Sequence, residues 1–177
     1  MSPPSRIHAW IDAVRDAVRD PAPVYAHCDI PCGIYDPHEA QIAALTIIRM
    51  DQLIAELPRP TPTSKPEEVD AYVAKLGRYQ LVKEQHAERL KQEIRVIWGD
   101  YFTADHAKQH PGIHDLTWKI LKQASKARQG TNIADAQELL QQVQEFAEIF
   151  WKTKGATSKR QPSLQKPGGE LVVPVPP

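Results

Sequence analysis

Residues 132–151 read Asn-Ile-Ala-Asp-Ala-Gln-Glu-Leu-Leu-Gln-Gln-Val-Gln-Glu-Phe-Ala-Glu-Ile-Phe-Trp. Apolar residues recur in this stretch three and four positions apart, with Gln and Glu between them: Ala136, Leu139, Leu140, Val143, Phe146, Ala147 and Phe150. That spacing puts them on one face of an α-helix, and Asn132 is a suitable N-cap. The stretch therefore predicts an amphipathic helix with one buried side.

Three earlier stretches have the same period. The first has Asp36 as a cap and ends at the prolines beginning with Pro58; the second is long, opens with a capping box from Ser64 to Glu67 and runs to Trp98. After a turn at 103–111, a third helix ends at Gly130. Four amphipathic helices with short connections and no alternating strand pattern predict an all-α, antiparallel four-helix bundle.

Composition excludes some classes of partner. The chain has 177 residues, enough for one domain, and its 22 basic and 22 acidic residues cancel. A neutral chain without a basic patch predicts no nucleic-acid partner. No apolar run approaches the roughly 20 residues of a membrane span, so we expect no membrane association.

The two ends of the chain differ from the bundle. Residues 1–26 carry a short amphipathic run of Ile7, Trp10, Ile11 and Val14, interrupted by charges, and lack the apolar core of a secretory signal. We interpret them as a propeptide removed on maturation; a short helix packed on the domain is the alternative. Residues 155–177 are rich in Ser, Lys, Gln, Gly and Pro without any period, which predicts a disordered tail, or alternatively a short polyproline docking peptide.

Both cysteines of the chain lie in residues 27–37, His-Cys-Asp-Ile-Pro-Cys-Gly-Ile-Tyr-Asp-Pro. A chain cut before His27 would offer an α-amine, an imidazole, two thiolates and the amide nitrogen of Cys28. Planar nitrogen and sulfur surroundings suit divalent nickel first and copper second, whereas zinc prefers a tetrahedron. A disulfide between Cys28 and Cys32 is the alternative, although so short a loop adds little stability.

This segment resembles the metal-binding hook of the nickel superoxide dismutases, and we call residues 27–37 the hook. The resemblance continues through Val82-Lys83-Glu84-Gln85, Trp98-Gly99-Asp100-Tyr101-Phe102 and Ile149-Phe150-Trp151-Lys152-Thr153-Lys154, so it covers residues 27–154. It implies a four-helix bundle with one nickel ion per subunit, assembled as a homohexamer. It also implies disproportionation of superoxide to oxygen and hydrogen peroxide by cycling between Ni(II) and Ni(III).

The resemblance assigns roles within the hook. The amine of His27, the amidate and thiolate of Cys28 and the thiolate of Cys32 bind nickel, and the His27 imidazole binds axially in the oxidised state. Pro31 and Gly33 shape the turn, and the backbone N–H of Asp29 hydrogen-bonds a thiolate.

Outside the ligands, the resemblance places Tyr35 and Tyr101 beside the open face of the metal, where they limit access. The family holds its axial imidazole with a glutamate and an arginine, and Ala43 and His86 stand at those positions here. His86 is a candidate substitute partner, or else a core histidine, because it also lies on the apolar stripe. His110 and His114 are separated by Pro111 and Gly112, so we expect structural roles for them.

Two functions follow from these observations. The first is a nickel-dependent superoxide dismutase that becomes active after cleavage before His27, with a maturation protease as a partner. The alternative is a non-catalytic nickel- or copper-binding helical bundle, which could use both thiolates in the uncut chain. We expect a cytoplasmic location, because a secretory signal is lacking and the thiols must stay reduced until nickel is loaded.

Overall fold

The computed structural model describes residues 33–175 and, before them, residues 7, 10, 11 and 14. The chain divides into two compact units, Met1–Ile30 and Pro31–Pro177. In the first unit the four described residues are helical and solvent-exposed. The propeptide prediction for residues 1–26 falls almost wholly outside the described residues and stays a prediction.

Residues 33–175 of the second unit form five α-helices, one π-helical turn and two strands. The α-helices are α1 (His38–Ala55), α2 (Pro66–Val96), α3 (Ala104–Gln109), α4 (Ile113–Gln129) and α5 (Ile133–Thr153). The π-helix spans Ile97–Tyr101, and the strands are β1 (Ser158–Pro162) and β2 (Glu170–Pro174). Helices α1, α2, α4 and α5 are the four predicted ones. The short helix α3 occupies the place where the sequence predicted only a turn.

The four long helices form a closed ring. Helix α1 packs against α2 and α5, and α4 packs against the same two helices. Their shared core is fully buried and mostly aliphatic, with two phenylalanines: Ile47, Leu90, Ile94, Ile120, Leu139, Val143, Phe146 and Phe150. The predicted helical bundle is thus confirmed. No helix among the described residues is long and apolar enough to cross a membrane.

The helix starts agree with the sequence to within two residues. The side chain of Asn132 accepts a hydrogen bond from the Ala134 N–H at 3.1 Å, as an N-cap does. Helix α2 begins at Pro66, and the carboxylate of Glu68 accepts from the Lys65 N–H at 3.1 Å, so the predicted box at Ser64 and Glu67 is shifted by one residue. The reason is that the Ser64 hydroxyl accepts from the Thr61 N–H at 3.0 Å and belongs to the preceding turn.

A buried ion pair links three of the helices. The Lys83 ammonium on α2 lies 2.8 Å from the Asp51 carboxylate on α1, and both side chains are fully buried. Lys83 also donates to the carbonyl of Gly130, the C-cap of α4. Burial raises the pKa of Asp51, although its hydrogen bond and charge interaction with Lys83 act in the opposite direction.

The prediction of a disordered tail over residues 155–177 is wrong for residues 155–175. Strands β1 and β2 form an antiparallel hairpin with Ser158 opposite Pro174, so the described chain end is also not a polyproline peptide. Leu171 and Val172 are buried against the bundle. The buried side chain of Gln41 donates to the Val172 carbonyl at 3.1 Å and accepts from the Val172 N–H at 2.7 Å.

A second glutamine holds the hairpin from α5. The Gln144 amide donates to the Glu170 carbonyl at 2.6 Å, and Arg160 pairs with Glu148 at 2.7 Å. The hairpin orders because α1 and α5 supply both an apolar surface and partners for its backbone. A compositional rule for disorder includes neither of these tertiary contacts.

Candidate metal centre

The predicted metal ligands precede the described part of the second unit. His27, Cys28 and Cys32, together with Asp29 and Pro31, lie outside the described residues. What the structure describes is residues 33–37 of the hook and the bundle that follows them. The geometry of this scaffold can be compared with the roles that the sequence assigned to its residues.

Gly33 forms an exposed turn within the hook, before the bundle begins. Its φ is +85°, in the left-handed region that side-chain-bearing residues rarely adopt. A Cβ built at this position would meet no atom within 4 Å. Backbone conformation, and not space, is therefore the reason for a glycine directly after Cys32.

Tyr35 and Tyr101 come together although 66 residues separate them in the sequence. Their ring centroids are 5.8 Å apart with an interplanar angle of 52°. Tyr35 precedes α1, and Tyr101 ends the π-helix that follows α2, so both lie where α1 begins and α2 ends. The structure thus brings two predicted site residues together at the end of the bundle where α1 begins and α2 ends.

Tyr101 is held firmly in its position. Its hydroxyl lies 2.8 Å from the Thr153 hydroxyl, which itself donates to the Phe150 carbonyl at 2.7 Å. Because the Thr153 proton is already used, Tyr101 is the donor in the first of these hydrogen bonds. The ring also lies 4.7 Å from the Phe150 ring, and the Lys154 ammonium lies 5.2 Å from the Tyr101 centroid.

His106 is a neighbour of this pair that the sequence analysis did not single out. Its ring stacks on Tyr101 with a centroid distance of 5.4 Å and an interplanar angle of 27°. The Thr103 N–H donates to His106 Nδ1 at 3.3 Å, and the His106 N–H donates to the Thr103 hydroxyl. This reciprocal cap starts α3, which the sequence did not predict, so no local pattern pointed to the contact.

His86 and Ala43 stand where the family's axial-histidine partners were expected. Ala43 is buried in the core, and His86 on α2 is half-buried. Its Nδ1 lies 2.9 Å from the Val82 carbonyl, so Nδ1 carries the proton and donates it. The Nε2 of a neutral His86 is then a hydrogen-bond acceptor. Arg89 and Glu39 form an ion pair between the same two helices.

The described residues contain no competing metal site. No group of three or more His, Cys, Asp or Glu side chains within them could hold an ion. His114, which the sequence placed at helical spacing from His110, instead accepts a hydrogen bond from the Trp98 indole at 2.9 Å.

Comparisons with known proteins agree with this geometry. A family model described as nickel-containing superoxide dismutase matches residues 22–154. Superoxide dismutase [Ni] of Streptomyces coelicolor is 34% identical over 133 residues, 75% of this chain and 92% of that protein. The corresponding protein of Streptomyces seoulensis is 33% identical over the same shares.

Solved structures show the same similarity in three dimensions. A native nickel superoxide dismutase superposes with a TM-score of 0.60 at 33% identity, covering 72% of this chain and 99% of that one. A structure whose nickel ligation corresponds to the oxidized state gives a TM-score of 0.62 at 32% identity, covering 73% and 100%. The hairpin of residues 158–174 lies beyond the range matched by the family model.

Proposed function

The chain belongs to the nickel-containing superoxide dismutase family, and we propose that it disproportionates superoxide to oxygen and hydrogen peroxide at a nickel ion held by the hook. The observation that carries this proposal is the family match, which spans both the hook and the whole bundle. The relatives that match at this level are named as dismutases. A non-catalytic metal carrier is therefore the less favoured function.

The donor set of the hook fits nickel. His27, Cys28 and Cys32 offer nitrogen and thiolate sulfur, and such donors make divalent nickel easier to oxidise than water ligands do. Nickel supplies the electron exchange with superoxide. The α-amine of His27 exists only after cleavage of the bond to Ala26, so residues 1–26 act as a propeptide and a protease completes the site. The backbone N–H of Asp29 would donate a hydrogen bond to a thiolate. Pro31 and Gly33 would form a turn that brings Cys32 close to His27.

The two tyrosines would control the approach to this centre. Tyr35, near the end of the hook, is in contact with Tyr101. The Tyr101 hydroxyl donates to Thr153, which leaves its oxygen free to accept from water or peroxide. Superoxide is an anion, and the ammonium of Lys154 beside Tyr101 attracts negative charge to this end of the bundle. The cluster would admit a small anion and exclude larger reductants.

His86 is our candidate partner for the His27 imidazole. With Nδ1–H donating to Val82, its Nε2 can accept an N–H from a second ring. Such an acceptor would orient a ligating histidine as a carboxylate does in other metal sites.

Assembly and location complete the proposal. A hook of eleven residues is short, so burial between subunits of a homohexamer would fix its conformation. A cytoplasmic location would keep Cys28 and Cys32 reduced until nickel binds.

Single cysteine substitutions test the ligand assignment. Cys28→Ser and Cys32→Ser in a chain that begins at His27 should each lose dismutase activity and thiolate-to-nickel charge-transfer absorption, because a hydroxyl is a much poorer donor to nickel than a thiolate. His110→Ala, outside the hook and the tyrosine cluster, is the matched control and should retain both. Full activity in either serine variant would contradict the assignment.

A further inference from the structure

Helix α2 is much longer than its neighbour α1. Asp51 of α1 pairs with Lys83 and Glu39 pairs with Arg89, so the two helices run antiparallel and α1 pairs with the C-terminal half of α2. Residues 66–81 precede that half and contain no buried side chain. At 1.5 Å per residue this segment is about 24 Å long. We call residues 66–81 the α2 extension.

One row of the α2 extension is apolar and exposed. Val69, Val73 and Leu81 are 37%, 60% and 58% exposed, and they lie in a single row of every fourth residue. Such rows form the ridges that pack between helices. The fourth member of the row is Gly77, where a Cβ would meet no atom within 4 Å. A glycine inside a helix lowers stability relative to alanine. Here it leaves a notch in the row, between the side chains of Val73 and Leu81.

Charges flank this row on one side. At 100° per residue, Asp70 and Arg78 lie on the same flank, each about 90° from the row. Neither has an ion-pair partner among residues 33–175, whereas five charged residues further along α2 are paired: Lys83, Glu84, Glu88, Arg89 and Arg95. The unpaired acid Asp70 lies before Val73 and the unpaired base Arg78 lies after it. Two such flanks laid antiparallel to each other therefore place the acid of one beside the base of the other.

We propose that the α2 extension pairs antiparallel with the α2 extension of a second copy of this chain, about a two-fold axis near Val73. In this arrangement Val69 of each copy fills the notch at Gly77 of the other. Arg78 of each copy then lies beside Asp70 of the other, so the charges on the facing flanks are neutralised. An isologous contact of this kind requires a surface that is complementary to itself, and the charge order meets that requirement.

The chain segment next to the α2 extension does not cover this row. The connector between α1 and α2 folds along a different face, where Leu57, Pro58 and Pro60 line a cavity with Tyr72 and Lys75. Val69, Val73 and Leu81 are absent from the lining of that cavity.

Sedimentation equilibrium of the full chain over a range of concentrations tests the pairing. Val73→Glu sets two like charges against each other at the axis and should halve the mass of the assembly or raise its dissociation constant by at least about tenfold. Gly77→Leu should weaken association similarly while the thermal unfolding temperature stays equal or rises, because leucine favours helix. Leu164→Glu changes a 93% exposed residue at the hairpin tip and is the matched control.

Charge reversal tests whether the helix that pairs with the α2 extension belongs to a second copy of this chain. Arg78→Glu should weaken association, and adding Asp70→Arg to it should restore association, because the two flanks are again complementary. A monomeric full chain, an unchanged mass for Val73→Glu, or failure of the double reversal to restore pairing would each overturn the proposal. The readout is mass alone, so it does not depend on nickel binding or on dismutase activity.

Discussion

Replacing Lys83 by methionine should destabilise the bundle strongly at neutral pH. The Lys83 ammonium holds the Asp51 carboxylate at 2.8 Å and also donates to the Gly130 carbonyl, with both side chains fully buried. The second carboxylate oxygen of Asp51 already has no hydrogen-bond partner among the described residues. Removing one member of a buried pair leaves an uncompensated charge, which costs about 3–5 kcal/mol. That is a large share of the roughly 5–15 kcal/mol by which a domain is stable.

The loss of unfolding free energy in Lys83→Met should grow as the pH rises. Burial already raises the pKa of Asp51 above 3.8, and Lys83→Met removes the two effects of Lys83 that lower it, while the charge of Asp135 continues to raise it. A carboxyl whose pKa is higher in the folded state binds its proton more tightly there. Its stability contribution is therefore fully present below pH 3.8 and is lost as pH rises towards the folded-state pKa, at up to about 1.4 kcal/mol per pH unit.

Urea unfolding of the variant and the parent chain at pH 5 and pH 7.5 measures both effects. The deficit of Lys83→Met should be smaller at pH 5. The double variant Lys83→Met/Asp51→Leu should recover most of the loss, because an apolar pair leaves no buried charge. A deficit that is the same at both pH values, or a double variant as unstable as the single one, would refute this account of the pair.

Three further predictions concern the hairpin, the tyrosine pair and the turn within the hook. Gln41→Ala removes both side-chain bonds to Val172 and should cost about 2–4 kcal/mol and expose β1 to trypsin, whereas the exposed control Gln137→Ala should not. Tyr101→Phe keeps the ring contacts, so it should lower dismutase activity while costing only about 1 kcal/mol in urea unfolding; unchanged activity would remove the hydroxyl from the proposal. Gly33→Ala should strain the turn by about 1–2 kcal/mol and reduce nickel retention on dialysis, and retention equal to the parent's would contradict this.

The helices could be predicted from the sequence because each one carries its own signals. In α5 the apolar period and the Asn132 cap are local, and the structure places both as expected. The contact of Tyr35 with Tyr101 could not be derived from any period. Only the resemblance to the family placed both residues near the metal.

The sequence predictions were wrong where side-chain and tertiary hydrogen bonds determine the local structure. The hairpin of residues 158–174 has the composition of a flexible tail, but Gln41 and Gln144 satisfy its backbone from helices that lie far away in the sequence. Similarly, α3 depends on the reciprocal bonds between Thr103 and His106, and the role of His106 beside Tyr101 follows from that turn. Single-residue patterns do not reveal such pairings.

The central claim is that a free amine at His27 completes a nickel centre for superoxide. The most direct test compares the superoxide disproportionation rate of nickel-loaded protein beginning at His27 with that of the same chain beginning at Met1. We predict activity only in the shorter chain, because in the longer one the nitrogen of His27 is an amide and cannot serve as an amine ligand. Equal activity in both chains, or inactivity in both with nickel bound, would contradict the account.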